Sequence, residues 1–229
     1  MPKARAASDP VQQFLDQVAR TPPPAQGEGR GRLVFAMDAT ASREPTWDQA
    51  CQVQGQMFLE TAALGGLDVQ LVYYRGFNEC KASRWVDNPS DLVRLMTGVF
   101  CLAGKTRIRR VLQHAIKETE RKRVTALVFV GDAFEEDLDE VGETAGKLGM
   151  LGVRAFLFQE GHKPEAERAF RHIAKLTKGA HCRFDAGSPD QLRELLGAVA
   201  AYAAGGRRAL ADLSQRSSPA VKLIASQLG

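Results

Sequence analysis

Closely spaced cysteines are missing from this 229-residue chain. Its four, Cys51, Cys80, Cys101 and Cys182, are scattered, with no Cys-x-x-Cys pair. That spacing excludes a thiolate zinc cluster and a dithiol redox motif. Scattered thiols without a secretory signal read as reduced and partly buried. Long apolar runs are also missing: no run of ~18 apolar residues is present to span a bilayer, and the opening "MPKARAASDPVQQFL" has no apolar signal core. A cytoplasmic setting is therefore expected, with no membrane partner. Charge of one sign is scarce, the formal net charge being only +4. Aromatics make up 7% and are poorly interleaved with basic residues, which disfavours a nucleic-acid platform. The four histidines, at 114, 162, 172 and 181, show no ligand spacing, and "GEGRG" neither follows a strand nor opens a helix as a phosphate loop must.

What the chain does contain is alternation. Residues 1–31 read as an extension: a short amphipathic piece, "DPVQQFLDQVAR", then the Pro/Gly linker "TPPPAQGEGRGR". From 32 to 204, apolar strands and amphipathic helices take turns. Strands are expected at 32–38, 67–76, 81–88, 124–132, 153–161 and 180–185. Helices are expected at 46–64, at 90–100 with Ser90 as N-cap, and at 106–122, 138–152, 164–179 and 188–206. The 81–88 segment follows its predecessor too closely for a helical crossover and reads as an antiparallel edge strand. The pattern predicts an α/β fold: a doubly wound, mostly parallel six-stranded sheet with one antiparallel edge strand and helices on both faces. Residues 205–229 read as a basic, Ser-rich tail with a short helix at "PAVKLIASQL".

Such sheets bind ligands beyond the carboxyl ends of their strands, where the strand order reverses. Two aspartates end the strands expected to flank that point, Asp38 after "LVFAM" and Asp132 after "LVFVG". Two adjoining carboxylates repel each other, and burial aggravates the repulsion. A hard divalent cation relieves it, since Mg²⁺ accepts carboxylate, hydroxyl and water oxygens together. Thr40 and Ser42, at alternate positions after Asp38, supply hydroxyls, and Thr106 offers another at a helix entrance.

Asp38-x-Thr40-x-Ser42, then Thr106, then Asp132 resembles the metal-ion-dependent adhesion site of von Willebrand factor A-type (VWA) domains. The resemblance covers residues 32–204 and departs at Thr40, where serine is commoner. It implies a Rossmann-like VWA fold and Mg²⁺ or Mn²⁺ held by Asp38, Thr40, Ser42, Thr106 and Asp132. It also implies a protein partner whose acidic side chain completes the metal shell. Lys105, Arg107, Arg109 and Arg110 around Thr106 would steer such a partner. The acidic run Glu135, Glu136, Asp137 and Asp139 reads as a solvated helix start.

No nucleophile–base pair is evident, so catalysis is not assigned. One enzymatic alternative is similarity to haloacid-dehalogenase-like phosphohydrolases. There Asp38 would attack phosphorus, Thr106 would contact the phosphoryl group, Lys122 would stabilise charge and Asp132 would bind Mg²⁺. Thr40 stands where that group places an acid/base aspartate. A second alternative is a metal-free VWA scaffold.

Overall fold

The computed structural model describes residues 30–185 and 189–216. The amphipathic piece at 9–20 and the helix expected at 219–228 lie outside them. Strand β1 (Gly31–Asp38) is followed by a 3-10 turn, Ala41–Arg43, and two short helices, α1 (Glu44–Val53) and α2 (Gly55–Thr61). Then come β2 (Leu67–Arg75), β3 (Glu79–Val86), α3 (Pro89–Thr97), α4 (Ile108–Arg121) and β4 (Ala126–Gly131). The chain continues through α5 (Leu138–Met150), β5 (Arg154–Glu160), α6 (Pro164–Leu176), β6 (Ala180–Phe184) and α7 (Pro189–Arg216).

The six strands lie in the order β3-β2-β1-β4-β5-β6. All neighbours are parallel except β3, which runs antiparallel to β2 at the edge as the short connection predicts. Every residue of β1 is buried, as a central strand covered on both faces requires. Because side chains alternate, Leu33, Phe35 and Met37 join one core with α1, α2, α3 and α7, while Val34 and Ala36 join another with α4, α5 and α6. Among the described residues no helix is long and apolar enough to cross a membrane.

Three local features differ from the sequence pattern. The helix expected over 46–64 starts earlier, at Glu44 with Pro45 in its first turn, and is interrupted at Gln54–Gly55. Glycine is a poor helix former, and the apolar periodicity across the break masks the interruption. The N-cap of α3 is Asn88 rather than Ser90: Asn88 is extended and its side chain accepts from the Asp91 N–H at 2.9 Å, with Pro89 as first helical residue. The final helix does not stop where a tail was expected from 205. It turns at Gly206, whose φ of 68° favours glycine, and continues to Arg216. Beyond the turn Ala209 and Leu210 are buried, and Leu210 joins the core of the first face.

Leu210→Ala is therefore expected to cost about 2–4 kcal/mol, as core truncations do. A urea midpoint within error of wild type would show that the segment after Gly206 contributes no packing.

Candidate metal centre

Parallel pairing of β1 with β4 sets Met37 opposite Val130, so Asp38 and Asp132 follow within two residues on neighbouring strands. β5 pairs next to β4 and ends at Glu160. Three carboxylates thus line the carboxyl edge at the strand-order reversal.

Asp38 is 2% exposed, and its Oδ1 accepts the Thr40 N–H at 2.8 Å. Burial raises its pKa above the ordinary carboxylate range and Asp132 adds to the rise, while hydrogen bonding from Thr40 opposes it. Among the described residues no cation forms an ion pair with Asp38. The Tyr74 hydroxyl is buried beside it, close enough for the carboxylate to add to the burial-driven rise in the phenol's pKa, yet without a well-formed hydrogen bond. Thr40 is half-buried and Ser42 exposed.

Asp132 is engaged differently. Its Oδ2 accepts from Lys163 Nζ at 2.8 Å, and Arg43 Nε stands 3.9 Å from its Oδ1. The Arg43 guanidinium is itself buried, pairs with Glu160, and donates to Thr46 Oγ1 at 2.7 Å; the Thr46 hydroxyl also bonds Glu160. Burial lowers the Arg43 pKa while Asp132 and Asp38 raise it, and a guanidinium keeps its charge in this setting.

Thr106 is buried and faces the segment after β4. Its Oγ1 accepts the Glu135 N–H at 3.0 Å, and its own N–H donates to Glu135 Oε2 at 3.2 Å. Glu136 accepts from the N–H groups of Ile108 at 2.6 Å and Arg109 at 3.1 Å, satisfying the open amino end of α4. Glu135, though exposed, and Glu136 thus serve the Thr106 segment and the start of α4 instead of the α5 start expected for them; Asp137 and the exposed Asp139 are at that start, Asp137 capping α5 through the Glu140 N–H. Of the basic rim, Arg109 pairs with Glu140, whereas Arg107 and Arg110 donate to the carbonyls of Phe77 and Asn78.

Sequence reasoning named Asp38, Thr40, Ser42, Thr106 and Asp132 as site candidates and did not anticipate Arg43, Lys163 and Glu160 at this edge. A tally of acids at strand ends would have found Glu160. Arg43, next to Ser42, carried no signal of its own. His114 is half-buried against Gln70 Oε1 at 2.8 Å, and Trp47 is core, donating to the Met96 carbonyl. Lys122 sits by Arg32 at the amino edge, six β1 residues or about 20 Å from Asp38. It is too far to stabilise charge developing there.

The donors fit a hard divalent cation in kind. Among the described residues no three His, Cys, Asp or Glu side chains converge as a metal cluster. An ion here would rest on Asp38, Asp132, hydroxyls and water, which suits Mg²⁺. Asp38, buried with no ion-pair partner among the described residues, favours that fit; the Lys163 contact to Asp132 opposes it.

In chelator, Asp38→Asn should be more stable than wild type at pH 7. A buried acid whose folded pKa lies above its unfolded value loses stability as pH rises through that interval, and asparagine escapes the loss. The advantage should vanish below about pH 4, where the unfolded carboxylate also protonates. Urea melts at both pH values that show no such convergence would contradict this account of Asp38.

The sequence matches no protein-family model and no curated protein. Its fold does have solved counterparts. A von Willebrand factor type A protein from Catenulispora acidiphila superimposes with a TM-score of 0.61 at 13% identity, over 76% of this chain and 43% of that one. The SpRpn10 VWA domain gives 0.56 at 15% identity, over 73% and 94%. The PilB minor pilin from Streptococcus sanguinis gives 0.56 at 12%, over 85% and 65%. This chain therefore spans less than half of the Catenulispora protein. The six-stranded sheet with its single antiparallel edge and flanking helices is a VWA-type fold.

Proposed function

We propose that this chain is a protein-interaction module that binds a divalent cation, Mg²⁺ or Mn²⁺, at the carboxyl edge between β1 and β4, and docks an acidic side chain of another protein there. The observation that carries the reading is Asp38: a buried carboxylate with no ion-pair partner among the described residues, followed by the hydroxyls of Thr40 and Ser42. When bound, the ion supplies a positive centre whose remaining positions exchange water for a carboxylate. Asp38, Thr40, Ser42, Thr106 and Asp132 would hold it. Asp38 stays fixed by the Thr40 N–H, and Asp132 must loosen its hold on Lys163 to contribute fully. The proposal assigns binding and no catalysis, and its cytoplasmic setting rests on the sequence grounds given above.

A second reading, metal-free docking, has its own support. Arg43 and Lys163 already supply two positive charges to Asp132 and Glu160. In that case resident cations do the work of the metal, and partner binding ignores chelators.

Calorimetric titration of Mn²⁺ and Mg²⁺ separates the two. Ser42 is exposed and has no hydrogen-bond partner among the described residues, so Ser42→Ala leaves the fold intact. It should weaken cation binding by at least the roughly 10–100-fold that losing an outer-shell partner costs. Lys163→Ala should tighten binding by up to about fivefold, the worth of a half-exposed ion pair. Undiminished binding in Ser42→Ala would remove that hydroxyl from the shell. No binding by wild type would leave the metal-free reading.

A further inference from the structure

Three large apolar side chains stand in solvent at the end of the sheet that carries the acids. Phe77 is 96% exposed, Phe100 73% and Leu102 48%. Single exposed apolar residues are ordinary, but several on one rigid patch mark a contact surface. These three come from two connections, the β2–β3 turn and the loop between α3 and α4, and the backbone ties both to the site. The Leu102 N–H donates to the Ala39 carbonyl at 3.0 Å, and the Gly76 N–H donates to the Leu102 carbonyl at 3.3 Å. The Arg75 guanidinium donates to the Phe100 carbonyl at 2.6 Å and that of Arg107 to the Phe77 carbonyl at 2.9 Å. Gly104 lies so close to Gly76 that a Cβ there would come 2.1 Å from the Gly76 oxygen. The loops therefore hold the exposed rings on a pinned backbone, which lowers the ordering cost of binding.

The surrounding charge is mixed: the acids Glu44 and Asp48 lie near Cys101 on the α1 side, and the cations lie on the side of Phe77 and the α4 entrance. Arg107 and Arg110 spend their hydrogen bonds on carbonyls and form no ion pair among the described residues, and Lys105 is exposed with no partner there. The one acid of the β2–β3 turn, Glu79, is taken by Arg75 at 3.1 Å and Lys81 at 2.8 Å. Apolar anchors beside unmatched cations complement one kind of surface.

We propose that Phe77, Phe100 and Leu102 anchor a protein partner whose binding segment carries an acidic side chain flanked by apolar ones. The apolar groups cover the three side chains, and the acid faces Lys105 and the carboxyl edge. This inference rests on the reading of that edge as the interaction site and adds the chemistry of the partner and the residues that hold it.

The test pans a random displayed-peptide library on the full chain and measures the enriched peptides on three forms. These are wild type, Ser42→Ala, and a triple variant carrying Phe77→Ser, Phe100→Ser and Leu102→Ser. All three triple-variant positions are exposed, so its thermal midpoint should match wild type. The expected result is a set of peptides sharing an acid among apolar residues, bound at least about tenfold more weakly by the triple variant, as loss of anchoring side chains implies. Equal affinity for wild type and triple variant, or enriched peptides lacking either the acid or the apolar residues, would overturn the proposal. So would failure to enrich any peptide on wild type above the triple variant. Sedimentation showing a wild-type dimer that the triple variant abolishes would overturn it as well, since a second copy would then cover the patch. Loss with chelator and in Ser42→Ala, but not in the triple variant, keeps the cation reading and removes this one. Loss in the triple variant alone does the reverse.

Discussion

The pairing of β1 with β4 is the contact on which the rest of this molecule depends. β1 lies between β2 and β4, buried on both faces, and its alternating side chains supply both cores. The chain reaches β4 only after filling the other half of the sheet with β2 and β3, so consecutive connections leave β1 in opposite directions. That reversal opens the crevice at the carboxyl edge, and parallel register delivers Asp38 and Asp132 to it from strands more than ninety residues apart in sequence.

Bringing acids together creates an electrostatic problem that the fold answers unevenly. Glu160 and Asp132 are met by Arg43 and Lys163, so that half of the edge is compensated within the protein. Asp38 has the Thr40 N–H, the Tyr74 hydroxyl beside it and the field of Arg43, but no ion pair among the described residues. Burial therefore pushes this carboxylate toward protonation more than its hydrogen bonds hold it ionised, and Thr40 and Ser42 follow it with rising exposure. The same edge is held in shape by other acids: Glu135 and Glu136 bind backbone N–H groups around Thr106 and the start of α4, which keeps the Thr106 loop in place beside the crevice.

Beside the charged edge lies an apolar one. Backbone hydrogen bonds join Ala39, Leu102 and Gly76 into a continuous link from the end of β1 to the β2–β3 turn. The loops that shape the acidic crevice therefore also present Phe77, Phe100 and Leu102 to solvent. The charged edge and the exposed apolar side chains thus belong to one hydrogen-bonded framework.

The architecture was legible in the sequence because it is written in local patterns. Apolar runs of strand length alternated with helical periodicity, and one connection was too short for a crossover, which made β3 the antiparallel edge. Asp38 and Asp132 could be placed side by side because doubly wound sheets commonly set strands 1 and 4 next to each other, and the two aspartates lie at the ends of those strands. Other features needed the tertiary structure. The Arg43–Glu160 pair, the Lys163 contact to Asp132 and the binding of Glu135 and Glu136 to the α4 entrance all join distant elements. Where a long charged side chain points depends on which partner the fold brings near, and no periodicity encodes that choice. The helix beyond Gly206 was hidden for a related reason. The segment from 205 read as a basic, Ser-rich tail, and only its packing, with Leu210 in the core beyond a bend at Gly206, shows it to be helix. Local pattern determined the fold and the position of the acids, while long-range packing decided which charges were already matched and which were left open.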